Sequence, residues 1–207
     1  KMSDDERYLV ESSIKENGEP VSGSYSVVIY SALKRFFEYL EGDEYIQKNP
    51  MTKIGRPAPK KANQVERTFL TKAEVKKCFL ALNDENSFYR ARDRAILTIL
   101  FATGIRNTCL TEINIDNVDL ENSCIYVIDK EDKAFTVWLD ERNMDTVKEW
   151  LDIRNMILRE HPEEKALFIS KNGARIGQQG TANVVKKASA AIGHPITPHK
   201  ARGTYCT

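Results

Sequence analysis

Two arginines, a histidine and a lysine carry the most chemical information in this 207-residue chain. Arg106 closes the run Thr103-Gly104-Ile105-Arg106 at the end of an apolar stretch. His199 and Arg202 belong to Pro198-His199-Lys200-Ala201-Arg202, close to the last residue, Thr207. Lys130 falls between them, in a run of turn-forming residues, and no acid stands at the matching positions. Such a set suits a phosphate ester. Arginine forks grip phosphate oxygens bidentately, while a histidine and a lysine can move protons. His199 and Arg202 are also spaced i, i+3, so on a helix they share a face.

The elements that must hold these residues are mostly helices. An apolar face at 25, 29, 32, 33, 36, 37 and 40 predicts a helix over Tyr25–Leu40, and a face that broad must pack on other helices. A further helix is predicted over 4–16, and Asn49-Pro50 is a stop signal. Residues 55–68 carry two prolines and no apolar periodicity, so they are predicted to be an extended basic linker. Thr71-Lys72-Ala73-Glu74 is a capping box. Arg90–Ala102 is predicted as a central helix, with Gly104 ending it in a left-handed cap. Asn107 is predicted to cap a short helix after it.

Cys124–Ile128 and Phe135–Leu139, separated by Asp129-Lys130-Glu131-Asp132-Lys133-Ala134, predict a hairpin. A helix over 145–160, a short strand at Leu167-Phe168-Ile169 and a helix over Gln178–Ile192 complete the pattern. The fold class expected is mainly α with a small antiparallel β-sheet.

Composition is that of an ordinary globular protein, 41% hydrophobic and 29% charged. The net charge of +1 hides an asymmetry. From Lys165 onward there are seven basic residues and no acid, whereas residues 1–164 hold 24 basic and 30 acidic side chains. A second acid-free stretch holds Lys53, Arg56, Lys60 and Lys61. These basic segments suggest contact with a polyanion; a solvated basic surface is the other reading of charge alone. Lys53, Arg56, Lys60 and Lys61, with Lys133 and Arg175, are the candidate polyanion contacts. No apolar run reaches membrane-spanning length. The cysteines at 78, 109, 124 and 206 are too scattered for a zinc site or a disulfide framework, and a cytoplasmic location is expected.

The order arginine, lysine, His-x-x-Arg resembles the tyrosine recombinases, or phage integrase family. Ala102-Thr103-Gly104-Ile105-Arg106, with Leu110 and Asn117-Val118-Asp119 after it, is similar to the family's first active-site box. That box usually places a supporting acid three residues beyond the arginine, where this chain has Cys109. The hairpin turn, commonly Gly-Lys-Gly-x-Lys, reads Asp129-Lys130-Glu131-Asp132-Lys133, so both lysines are kept and acids replace the glycines. After Arg202 the family often has a histidine, here Gly203.

The resemblance implies a helical core-binding domain over 1–54, expected to be N-terminally incomplete, a linker over 55–68 and a C-terminally incomplete catalytic domain over 69–207. The two domains would form a clamp around duplex DNA, with Lys53, Arg56, Lys60, Lys61, Lys133 and Arg175 as the expected DNA-binding residues. It implies cleavage of a DNA phosphodiester through a 3′-phosphotyrosyl intermediate, with no metal and no nucleotide cofactor. Arg106 and Arg202 would clamp the phosphate, Lys130 would protonate the leaving 5′-oxygen, with Lys133 in reserve, and His199 would assist proton transfer.

The family's nucleophilic tyrosine falls about thirty residues after the second arginine. Tyr205 is therefore not expected to be the nucleophile, and the chain is expected to be truncated before it and inactive alone. The implied partner is double-stranded DNA, with the full-length protein a tetramer on two sites, of mobile-element integrase type, in a bacterial cytoplasm or nucleoid. A non-catalytic DNA-binding protein on the same scaffold, or an unrelated helical interaction domain, are the alternatives.

Overall fold

The computed structural model describes residues 21–57, 69–129, 133–160, 163–194 and 196–205. The expected helix over 4–16, most of the linker with Lys60 and Lys61, and Lys130 lie outside these residues. The chain divides into two compact units, Lys1–Glu66 and Arg67–Thr207.

In the first unit, helix α1 (Gly23–Gly42) starts where Ser22 accepts a hydrogen bond from the Tyr25 N–H at 3.2 Å. Glu41 near its end accepts the Asn49 N–H at 2.9 Å. Asn49 in turn caps the 3₁₀ turn Pro50–Lys53 by accepting the Met51 N–H at 2.8 Å. The stop signal at Asn49-Pro50 is thus a capped turn that folds back on α1. Tyr30 secures it by donating to the Ile54 carbonyl at 3.1 Å. Tyr25, Phe36 and Tyr39 remain more than half exposed. Lys53 and Arg56 are exposed at the end of this unit.

The second unit is built around helix α3 (Ser87–Thr103), whose Ala95, Ile96, Leu97, Ile99 and Leu100 are fully buried. Helix α2 (Lys72–Ala81) precedes it and carries the predicted capping box intact. Short helix α4 (Asn107–Glu112) follows it. Strands β1 (Val118–Asp119), β2 (Cys124–Ile128) and β3 (Ala134–Trp138) make an antiparallel sheet in the order β1-β2-β3. Ile125 pairs with Val137, and both point into the core.

Helices α5 (Glu141–Ile157), α6 (Gln178–Ser189) and α7 (Pro198–Tyr205) complete the unit. All three pack on α3. Among the described residues no helix is long and apolar enough to cross a membrane. The observed architecture is mainly helical with a small antiparallel sheet.

Three local differences have physical causes. Helix α5 begins earlier than periodicity suggests, because Asp140 caps it by accepting the Asn143 N–H at 2.8 Å. Asn107 is not the cap of α4; Arg106 occupies that position without a side-chain bond. The Asn107 carboxamide instead bonds α6, accepting from Thr181 at 2.7 Å and donating to the Gln178 carbonyl at 3.2 Å. Residues 167–169 form no strand, and only the isolated bridges Asn114–Ala166 and Ile169–Arg175 appear there. The reason is that side chains of α5 take the backbone acceptors. Trp150 Nε1 donates to the Leu167 carbonyl at 2.8 Å, and Arg154 Nε donates to the Ala166 carbonyl at 2.7 Å. Trp150 is fully buried, edge-on to Phe88 and stacked with Phe168.

Candidate active site

Arg106 is placed by a sharp exit from the core helix. Gly104 ends α3 with φ 61°, a left-handed conformation that only glycine adopts without cost, and its N–H bonds the Leu100 carbonyl at 3.0 Å. Ile105 then turns inward, 3% exposed, so Arg106 turns outward. One apolar anchor and one glycine therefore fix the direction of the guanidinium's stem.

His199 and Arg202 come from α7, which Pro198 starts at a position where its missing N–H is no loss. The Ala201 N–H bonds the Thr197 carbonyl at 2.9 Å, and the Ala201 side chain is fully buried. Burying Ala201 turns His199 and Arg202 away from the core. Thr204 ties α7 to the segment before α2 by accepting the Leu70 N–H at 3.3 Å.

These pieces meet. Arg106, His199 and Arg202 line one open cleft of about 610 Å³, although Arg106 and Arg202 lie 96 positions apart in sequence. Asn107, Asp129 and Lys133 line it too. Asp129, the residue before Lys130, forms an ion pair with Arg106 through Oδ2. Its other oxygen accepts the Cys109 thiol at 3.5 Å. Asp129 did not figure among the expected site residues. Its signal was a pair of departures: an acid where the turn pattern has a glycine, and a cysteine where the arginine box has an acid.

Arg175 departs from the expectation of a DNA contact. Its Nη1 donates to the carbonyls of Thr111 at 2.8 Å and Ile113 at 3.4 Å, and its Nη2 donates to Asn114 Oδ1. Its three methylenes and guanidinium thus become a brace between the 169–175 turn and the end of α4. Of the other two histidines, His161 lies outside the described residues and His194 lies away from the cleft. His194 Nε2 lies 3.0 Å from Glu74 Oε1, which joins the loop after α6 to the first turn of α2. The Thr71 N–H and then His194 hold the Glu74 carboxyl at about 2, well below the ordinary 4.5.

Among the described residues no group of three or more His, Cys, Asp or Glu side chains is arranged to hold a metal ion. What the cleft offers instead is fixed cationic hydrogen-bond donors on rigid elements, the arrangement that stabilises negative charge on a phosphate.

The same cleft-forming segment has relatives. Residues 68–207 match the phage integrase family. The chain is 29% identical over 188 residues to tyrosine recombinase XerC of Alcanivorax borkumensis, covering 90% of this chain and 60% of the relative. It is 30% identical over 194 residues to tyrosine recombinase XerD of Lacticaseibacillus casei, covering 93% and 64%. It thus spans less than two thirds of the length of these curated relatives.

Among solved structures it is similar to XerH site-specific recombinase bound to palindromic difH substrate, with TM-score 0.70 and 24% identity over 89% of this chain and 55% of the other. It is also similar to the Tn1549 transposon integrase in complex with a circular intermediate DNA, with TM-score 0.70 and 20% identity over 100% and 71%. These two likenesses carry the fold. The family match over the segment that builds the cleft, together with the XerC and XerD relatives, shows that this chain belongs to the phage integrase family of tyrosine recombinases.

Proposed function

We propose that the chain is the DNA-gripping and phosphate-clamping part of a site-specific recombinase or integrase. The observation that carries this is the convergence of Arg106, His199 and Arg202 on one cleft. In this reading Arg106 and Arg202 hold the non-bridging oxygens of the scissile phosphate. Fixed cations there lower the barrier, because charge accumulates on those oxygens in the transition state. His199, exposed at the start of α7, assists proton transfer at the attacking or bridging oxygen. Lys130 protonates the departing 5′-oxygen, with Lys133 beside the cleft as the second lysine of the turn.

Attack comes from a tyrosine beyond this chain, and the energy of the broken ester is conserved in a 3′-phosphotyrosyl bond. The first unit acts as a core-binding domain, with Lys53 and Arg56, and Lys60 and Lys61 after them, on backbone phosphates. The partner is double-stranded DNA, the full-length protein works as a tetramer on two sites, and the setting is the bacterial cytoplasm.

The test is covalent attachment of the full-length protein to a nicked suicide duplex, scored as a shifted band on a denaturing gel. Attachment is expected to proceed in EDTA and to survive Tyr205→Phe. Dependence on magnesium, or loss of attachment with Tyr205→Phe, would contradict the reading.

A further inference from the structure

We infer that Asp129 is a positioning residue for Arg106, holding its guanidinium toward the cleft from the hairpin side. The inference rests on the recombinase reading of the cleft and deepens it. Arg106 is a long side chain, 49% exposed, with no cap bond of its own on α4. Asp129 is only 20% exposed and is held by several contacts. Its Oδ2 meets Arg106 Nη1. Its Oδ1 accepts the Cys109 thiol, one turn along α4, at 3.5 Å. Its N–H donates to the Lys133 carbonyl at 2.9 Å and closes the hairpin turn.

One carboxylate therefore bridges two residues of α4 and anchors them to the end of β2. A guanidinium so held keeps fewer rotamers and presents its remaining donors in one direction, which is what oriented catalysis needs. The two sequence departures are complementary in space. The helix side lacks an acid at Cys109, and the hairpin side supplies one at Asp129. The acid also offsets one positive charge beside the phosphate, so it should help rate without strengthening affinity.

In the full-length protein, Asp129→Asn should slow covalent attachment about tenfold, with duplex affinity unchanged or up to about threefold tighter and the thermal midpoint retained. Returning the acid from the helix side, in Asp129→Asn/Cys109→Asp, should bring the rate back to within about threefold of the unsubstituted protein. Should Asp129→Asn lower the midpoint, Asp129→Glu gives the comparison instead and should be slowed less. A rate unchanged or raised by Asp129→Asn, or a double variant as slow as the single one, overturns the inference.

A full-length protein that attaches no DNA at all removes the recombinase reading, and the inference is then decided by affinity in the 207-residue chain. There Asp129→Asn should change duplex affinity by a different factor with Arg106 present than in Arg106→Ala, because the two side chains are coupled. The same factor in both backgrounds would make Asp129 an independent charge and overturn it.

Discussion

Arginine serves two opposite ends in this molecule. Around residues 164–175 the guanidiniums turn inward. Arg154, 2% exposed, donates to the carbonyls of Glu164 and Ala166. Arg92 donates to Asp93 at 2.7 Å and to the Ile169 carbonyl at 3.3 Å, and burial pushes the Asp93 carboxyl up despite this partner. Arg175 braces α4. At the cleft, Arg106 and Arg202 line an open surface instead. The difference lies in the local backbone. The inward arginines bond main-chain carbonyls between residues 111 and 169, and a buried carbonyl left without its donor is costly. At the cleft Arg106 is held on one side by Asp129, and Arg106 and Arg202 both face open space that a ligand can enter.

Removing an inward arginine should therefore cost stability, and removing a cleft arginine should cost chemistry. The largest stability loss is expected from Arg154→Ala, about 3 kcal/mol by denaturant unfolding, because a buried carbonyl at Ala166 and a part-buried one at Glu164 lose their donor. Unchanged stability would erase the contrast. Arg106→Ala and Arg202→Ala should each slow covalent attachment by the full-length protein about a hundredfold or more, with little change in unfolding midpoint. A large drop in midpoint would move them into the structural class.

Arg175→Ala should cost about 1–3 kcal/mol of stability and leave the salt slope of duplex binding unaltered, whereas Lys53→Ala should reduce that slope by about 0.9. A reduced slope for Arg175→Ala would return it to the DNA surface. Gly104→Ala should cost about 1 kcal/mol through the left-handed backbone at φ 61° and displace Arg106 as well.

The smallest effect is a pH signature. Glu74 is held below its ordinary value, so its stabilisation is present above about pH 5 and is lost as pH falls toward about 2. Glu74→Gln should flatten acid unfolding over that window, and an unaltered acid limb would show that the Thr71 and His194 contacts carry no weight.

The legible parts were those written in local chemistry. The capping box at Thr71, the left-handed Gly104 and the hairpin alternation at Ile125 and Val127 each depend on neighbours in sequence. The grouping of Arg106 with His199-x-x-Arg202, 96 positions apart, came instead from the resemblance to the recombinases, and local chemistry gave only the helix ends that carry them. What the sequence hid depends on partners far along the chain. The helix over 145–160 was legible, yet nothing in its pattern marks Trp150 and Arg154 as donors to the carbonyls of Leu167 and Ala166. Arg175 read as one more basic residue in an acid-free tail, because its acceptors at Thr111, Ile113 and Asn114 lie more than sixty positions away. Asp129 read as a turn acid until Arg106 and Cys109 were found against it.

The central claim is that Arg106, His199 and Arg202 form one phosphate site. A crystal structure of the chain with duplex DNA tests it most directly. The expected result is a single backbone phosphate with its oxygens within hydrogen-bond distance of all three side chains. Duplex bound with that cleft empty, or with Arg106 and Arg202 on different phosphates, would contradict the account.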